Sequence, residues 1–207
     1  MRNIKDWGYR LRERYMIEVI AKKLLEDYKF DYVFPNFKKV SLGIDRWSAS
    51  VFSITFRPDI DILAVNVKEK CIIGIEVKGY RKKEYLYDYI TGIKGEMLDR
   101  ANVYEAIGEA MMYLKNPYEF RYRSLYIKGS IFDKVYLCYP YGNDFNDFKE
   151  VIELTPIGLM SIYEGEMERL KIIRDAKLNP LMNKEAKTYF LEWLYFIKSR
   201  CKHYTKD

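Results

Sequence analysis

Two apolar runs separated by three charged residues constrain this 207-residue chain more than any other feature. Residues 60–67 and 71–77 are rich in Ile, Val and Leu, which are typical of buried strands. The tip between the runs reads Lys68-Glu69-Lys70 and is short enough to reverse the chain. The pattern therefore predicts an antiparallel β-hairpin with a charged turn.

Charged side chains gather at the open end of this hairpin. Because side chains alternate along a strand, Asp59 and Asp61 share one face. Glu76 and Lys78 share a face for the same reason, and folding about the tip places Asp61 opposite Glu76. Unpaired charge in an apolar sheet is costly, and carboxylate oxygens suit Mg²⁺ or Mn²⁺. We therefore expect Asp61 and Glu76 to bind such a cation, while Lys78 polarises water or stabilises charge on a phosphate.

The residues at this end of the hairpin resemble the signature of the PD-(D/E)XK nuclease superfamily. The matching residues are Pro58-Asp59, Asp61 with the apolar strand after it, and Glu76-Val77-Lys78. The resemblance implies an α/β fold with a restriction-endonuclease-like core, in which a mixed central β-sheet is flanked by helices. It also implies hydrolysis of DNA to a 5′-phosphate product with the help of Mg²⁺ or Mn²⁺.

The resemblance assigns roles to individual residues of the hairpin. Asp61, Glu76 and the carbonyl group of Val77 would bind the metal, and Lys78 would assist hydrolysis. Asp59 matches the family name literally and would be a second ligand or a group that supports the ligands. The alternative is that residues 76–78 are the ordinary polar end of a strand.

Two predicted helices carry further candidates. Residues 9–29 have an apolar stripe at helical spacing. Their Glu18 resembles the first-helix glutamate of archaeal Holliday-junction resolvases, which completes the metal site; Glu13 is the alternative. Glu18 could instead pair with Lys22 or face solvent.

The second helix, predicted over 101–115, places Glu109 and Tyr113 on one face because they are four residues apart. RecB-like members of the superfamily carry Gln-x-x-x-Tyr at this position, and the resemblance implies contact with DNA. Glu replaces Gln here, so this carboxylate could bind metal or repel the DNA backbone. Tyr113 could instead pack in the core.

Basic and aromatic segments are candidates for contact with nucleic acid. Arg81, Lys82 and Lys83 follow the predicted catalytic strand and could grip phosphates or form a solvated turn. Arg121 and Arg123 lie in the aromatic segment 118–128, where tyrosines could stack on unpaired bases. The formal net charge of +6 is compatible with a polyanionic partner.

The remaining pattern predicts how the chain is organised. We expect a nuclease-like core in 1–162 and a C-terminal helical elaboration packed on it in 163–207. The core would contain strands at 30–34, 51–56, 131–139 and 151–162 and a polar loop at 36–50, and the elaboration would contain helices at 164–177 and 183–201.

Bulk properties restrict the class of protein. Three widely spaced cysteines exclude a zinc ribbon, and one histidine makes histidine-based catalysis an unsuitable mechanism. The charged N-terminus does not resemble a signal peptide, so we expect a cytoplasmic protein without membrane partners.

The function predicted from these features is a Mg²⁺- or Mn²⁺-dependent DNA nuclease that acts on single-stranded, end-containing or branched DNA in replication, recombination or repair. Exonuclease and endonuclease action both remain open. The alternative is a nucleic-acid-binding or partner-recruiting protein with the same fold and no catalysis. The C-terminal helices could mediate a homodimer or contact replication or repair proteins.

Overall fold

The computed structural model describes residues 13–45, 50–79, 100–115, 118–122, 125–140, 145–163 and 169–206. In chain order, its elements are α1 (Glu13–Glu26), β1 (Tyr32–Asp45), β2 (Ser50–Asn66), β3 (Cys71–Val77), α2 (Arg100–Lys115), β4 (Tyr118–Tyr122), β5 (Leu125–Gly129), β6 (Lys134–Pro140), α3 (Phe145–Glu153), β7 (Gly158–Tyr163), β8 (Arg169–Arg174), α4 (Lys184–Glu192), α5 (Leu194–Lys198) and β9 (Tyr204–Thr205).

Nine strands of the described part of the chain form one mixed sheet. The strand order is β5-β4-β2-β3-β6-β7-β8, with β1 paired to β2 and β9 paired to β1. The β3–β6 and β6–β7 pairs are parallel, and the other pairs are antiparallel. The crossover from β3 to β6 includes α2, which is the usual way to connect parallel neighbours.

The long strand β2 holds the centre of the sheet together. It pairs with β1 along one edge, while its other edge pairs with β4 over 53–56 and with β3 over 62–66. Residues 57–61 pair with neither β3 nor β4. The β1–β2 register also shifts here, between the pairs Phe37↔Ile60 and Lys39↔Thr55. Pro58 has no N–H to donate to a neighbouring strand, so an irregularity is expected at this point.

Two apolar layers cover the faces of the sheet. Helix α1 buries Met16, Ile20 and Leu24 against one face, where Ile73 and Ile75 of β3 also point. The opposite face packs against α2, α3, α4 and α5 through a larger cluster, which contains the following buried side chains: Leu63, Val65, Ile72, Ala106, Ala110, Leu137, Ile152, Phe190 and Ile197. Residues of β3 therefore alternate between the layers, as the pleat requires.

The predicted α/β class, with a mixed central sheet flanked by helices, is confirmed by this architecture. The hairpin is also confirmed, because β2 and β3 pair in the register Ile62↔Ile75 through Asn66↔Cys71. The helix predicted over 101–115 corresponds to α2. The helix predicted over 9–29 corresponds to α1, and residues 9–12 lie outside the described residues. The restriction-endonuclease-like assignment stays a prediction.

Three local predictions are wrong. The loop predicted at 36–50 is strand up to Asp45, because β1 follows β2 along its length. Residues 151–155 belong to the end of α3 and the turn after it instead of to a strand, and the Arg174 guanidinium donates to carbonyl groups there, including Thr155 O at 2.8 Å. The helix predicted at 164–177 contains strand β8, where Leu170 alternates with exposed Arg169 and Lys171.

The C-terminal part of the chain shares the sheet and the core of the rest. Residues beyond 162 supply β8 at one edge and β9 next to β1, in addition to helices α4 and α5. Phe190 of α4 packs edge-on against Phe37 and Tyr118, with ring centroids 6.4 and 6.0 Å apart. The predicted helical elaboration over 163–207 is therefore partly strand. No helix in the described ranges is long and apolar enough to cross a membrane.

Candidate functional site

The candidate site lies where β3 and β4 separate along the edge of β2. The register Ile62↔Ile75 continues by one residue on each strand to bring Asp61 opposite Glu76. The backbone N–H of Val77 donates to Asp61 Oδ2 at 2.8 Å, so the side chain of β2 is fixed to the end of β3. The predicted facing of Asp61 and Glu76 across the hairpin is confirmed.

The carboxylate of Glu76 is the most deeply buried charge-bearing group of this site, with 3% of the residue exposed. Its Oε1 lies 2.7 Å from Lys78 Nζ, and its Oε2 accepts a hydrogen bond from the Tyr113 hydroxyl at 2.5 Å. An ionised carboxylate has about four lone-pair positions. Two hydrogen bonds therefore leave Glu76 able to coordinate a cation as well.

Helix α2 supplies two of the side chains around Glu76. Glu109 Oε2 lies 2.8 Å from Lys78 Nζ, and the Tyr113 hydroxyl lies 2.9 Å from Asp59 O as well as near Glu76. The four-residue spacing puts both side chains on the helix face that covers the sheet. Ser130 Oγ donates to Tyr113 O at 2.7 Å and so anchors this end of the helix.

Burial and neighbouring charges shift the pKa values of the ionisable side chains at this site. Burial raises the pKa of Glu76, and the adjacent charge of Asp61 raises it further. Burial also raises the pKa of Asp61, although the Val77 hydrogen bond and the Lys78 charge act in the opposite direction. Burial alone would lower the pKa of Lys78, but its bonds to Glu109 and Glu76 outweigh that effect, so its pKa is raised. Lys78 therefore stays a cation.

The first helix contributes Glu13 and not the expected Glu18. Burial, and then the charge of Asp61, raise the pKa of Glu13, so this residue lies within electrostatic range of the site. Glu18 lies five residues further along α1, about 140° around the helix axis at 3.6 residues per turn. Its Oε1 lies 3.9 Å from Lys202 Nζ, near the C-terminus. The structure therefore does not bring Glu18 together with Asp61 and Glu76, and its metal-binding role stays a prediction.

Asp59 and Val77 take part through their backbones. Asp59 is exposed, and its carbonyl oxygen lies 2.9 Å from the Tyr113 hydroxyl. Val77 uses its N–H to hold Asp61, and its side chain is buried in the α1 layer. Coordination of a metal by the Val77 carbonyl or by the Asp59 carboxylate stays a prediction.

The protein side chains at this site would supply only some of the oxygen ligands that a metal ion needs. Within the described residues, no three Asp, Glu, His or Cys side chains come together in a geometry that could hold a metal ion. The protein part of a site would therefore consist of the two carboxylates of Asp61 and Glu76, supplemented by backbone oxygen and water. Carboxylate oxygens in this number fit Mg²⁺ or Mn²⁺, since Mg²⁺ usually keeps several waters.

The predicted contacts with nucleic acid divide into three groups. Tyr113 is fully buried with its hydroxyl bonded inside the protein, so its predicted contact with DNA is wrong in this conformation and its packing role is correct. Glu109 is half-buried against Lys78, and Arg121 is exposed on β4. Residues 81–83 and Arg123, which were predicted to contact nucleic acid, lie outside the described residues.

Tyr139 of β6 is a site residue that sequence reasoning missed. It is fully buried, burial raises the pKa of its hydroxyl, and the charges of Lys78 and Glu76 act on it. The parallel pair Val77↔Cys138 places Tyr139 beside Lys78. The sequence feature that could have pointed to Tyr139 is the predicted helix between β3 and β6, because such a connection usually makes the two strands parallel neighbours.

Comparison of the chain with protein-family models, with curated proteins and with solved structures found no match. The argument for a function therefore depends on the chemistry of the residues that the fold brings together.

We predict that Tyr113→Phe lowers the free energy of unfolding by about 1–3 kcal/mol, because it removes the hydroxyl bonded to buried Glu76 and next to Asp59 O. Urea unfolding of the metal-free protein measures this loss. Tyr104→Phe is the matched control, since Tyr104 is on the same helix with 63% of the residue exposed. Equal midpoints for Tyr113→Phe and the wild type would contradict the assigned hydrogen bond.

Proposed function

We propose that this chain is a metal-dependent nuclease that hydrolyses phosphodiester bonds in DNA. The observation that carries the proposal is the meeting of Asp61 and Glu76 at one end of a hairpin, with Lys78 Nζ 2.7 Å from Glu76 Oε1. Two carboxylates and an ammonium group are the side chains that a metal-assisted attack on phosphorus requires. The resemblance of residues 58–78 to the PD-(D/E)XK signature supports the same reaction.

The electrostatics of the site support a cation as its partner. Lys78 contacts Glu76 and Glu109, and burial together with neighbouring carboxylates raises the pKa values of Glu13, Asp61 and Glu76. A divalent cation held by Asp61 and Glu76 would compensate this negative charge. When bound, such a cation supplies a Lewis acid and lowers the pKa of a coordinated water.

The other polar groups of the site would hold the reacting groups in place. Lys78 carries the positive charge that would stabilise the developing charge on a scissile phosphate. The Tyr113 hydroxyl fixes the orientation of the Glu76 carboxylate. The Val77 N–H does the same for Asp61. These fixed donors reduce the reorganisation needed when charge moves during reaction.

The β4–β5 hairpin carries exposed aromatic and basic side chains. Phe120 and Ile127 point into the core, so the alternating side chains of Arg121, Tyr126 and Lys128 point to the other face of the sheet. Tyr126 is 50% exposed, and the Arg121 guanidinium lies 4.9 Å from its ring centroid. Exposed aromatic rings stack on bases, and cations contact the backbone. Glu76 and Tyr113 lie on the core face with Phe120, so this surface is on the opposite face of the sheet from the site and does not bear on the substrate.

A second function of another class is a protein that binds DNA without cutting it. The observation in its favour is that no metal-holding group of three side chains occurs among the described residues. The cleavage assay described next separates the two functions. A protein that only binds DNA would retain each DNA substrate in the presence of each metal and would release no cleavage product.

We predict that the purified protein cleaves DNA in Mg²⁺ or Mn²⁺ and not in EDTA. Glu76→Gln and Lys78→Ala should each lower the rate by about 10²–10⁴-fold, because each removes a charge that acts on the transition state. The assay uses single-stranded, duplex and four-way-junction DNA with end-labelled strands, and gel analysis distinguishes exonuclease from endonuclease products.

Glu69→Gln is the control for this assay, because Glu69 is exposed in the turn of the same hairpin and is remote from the site. Full activity in both Glu76→Gln and Lys78→Ala would refute the assigned site. Binding of DNA by the wild type without cleavage under any of these conditions would favour the non-catalytic function.

We predict that metal affinity rises with pH. Burial, and then the charge of Asp61, raise the pKa of Glu76 to about 9, so the metal-free site holds a proton at neutral pH that the cation must displace. One proton released per cation makes the affinity rise about tenfold per pH unit while that group titrates. Calorimetric titration of Mn²⁺ at several pH values measures the slope and the proton release without any substrate. A pH-independent affinity would contradict displacement of a proton.

A further inference from the structure

Glu109 shares the ammonium group of Lys78 with Glu76. Lys78 Nζ lies 2.7 Å from Glu76 Oε1 and 2.8 Å from Glu109 Oε2. An ammonium group has three donors, so these two carboxylates take two of them. One carboxylate belongs to the hairpin and the other to α2, which means that two separate elements fix the head of this side chain.

Both ends of Lys78 are held. Its backbone N–H donates to Cys138 O at 3.0 Å, which attaches the residue to β6 just beyond the end of β3. Lysine has a flexible four-carbon stem, so a fixed backbone alone does not place its ammonium group. The contact with Glu109 is therefore one of the two bonds that determine where the charge sits.

Exposure increases in steps across this group of charges. The side chain of Glu76 is 5% exposed, that of Lys78 is 21% exposed, and that of Glu109 is 35% exposed. An anion that comes from solvent reaches Lys78 on the side of the more exposed carboxylate. It therefore comes closer to the charge of Glu109 than to that of the buried Glu76.

We propose that Glu109 is a positioning residue for Lys78, which holds the ammonium group beside Glu76 while a substrate phosphate is bound. The catalytic meaning of this role rests on the proposed nuclease function. Glu109 then has two opposite effects. It keeps Lys78 in the reactive position, and its negative charge weakens binding of the polyanionic substrate, since like charges across an interface repel.

Replacement of the carboxylate by an amide separates these two effects. The amide oxygen of a glutamine still accepts a hydrogen bond from the ammonium group but carries no charge. An alanine side chain provides neither a hydrogen-bond acceptor nor a charge. The two variants therefore test positioning and charge independently at one residue.

The experiment measures kcat and KM on single-stranded DNA with Mg²⁺ for three variants. Glu109→Ala should lower kcat by about 10²-fold, because small displacements of a reacting group have effects of this size. Glu109→Gln should recover most of that loss and should have a lower KM than the wild type. Glu105→Gln, one turn earlier on α2 and exposed, makes the same change in net charge and should match the wild type. An unchanged kcat in Glu109→Ala overturns the positioning role.

A double-mutant cycle tests the contact without reference to activity. Unfolding by urea is compared for the wild type, Glu109→Ala, Lys78→Met and the double variant. Glu109→Ala should raise the unfolding equilibrium constant by a factor about tenfold smaller in the Lys78→Met background than in the wild type. A coupling of this size is usual for side chains in contact. Additive effects would overturn the contact.

The two readouts separate the failure of this inference from the failure of the proposed function. A coupled cycle in a protein that cleaves no DNA would refute the nuclease proposal and, with it, the catalytic role of Glu109, while the contact would stand. Cleavage with a normal kcat in Glu109→Ala would leave the nuclease proposal intact and refute the positioning role alone.

Discussion

The burial of the Glu76 carboxylate beside Asp61 is the constraint on which the rest of this structure depends. Two acidic groups brought out of water next to each other destabilise a fold unless donors or cations compensate them. The chain meets this requirement with three donors from three places: Lys78 after β3, Tyr113 from α2 and the Val77 N–H for Asp61. Burial still raises the pKa values of both carboxyl groups, so these donors compensate the charge only in part.

The architecture explains why these groups meet. Strand β2 is long enough to pair with β3 and with β4 at separate places, and the unpaired stretch at 57–61 gives the carboxylates a gap between the two. The crossover through α2 then lays Glu109 and Tyr113 over that gap, and Asn179 fixes the C-terminal end of the helix by donating to Leu114 O at 3.0 Å. The site is therefore a product of sheet topology.

Local patterns in the sequence were enough to predict the hairpin, helix α2 and the pairing of Asp61 with Glu76, because register and alternation fix which side chains face each other. They were not enough to choose between Glu13 and Glu18 or to find Tyr139, because those positions depend on how α1 and β6 pack on the hairpin. Tyr113 illustrates the same difference. Its spacing from Glu109 predicts a shared face, but only the packed sheet determines that this face is buried. Strand β8 was misread because a short alternating segment with several charges also suits a helix.

The position of a bound metal tests the central claim most directly. Crystals of the protein grown with Mn²⁺ would show the ion by its anomalous scattering, independently of any substrate. The account predicts one peak within coordination distance of both Asp61 and Glu76, at about 2.0–2.2 Å from their oxygens, with Lys78 and Tyr113 still in contact with Glu76. A well-ordered structure with no peak between these two carboxylates, or with the ion elsewhere on the protein, would contradict it.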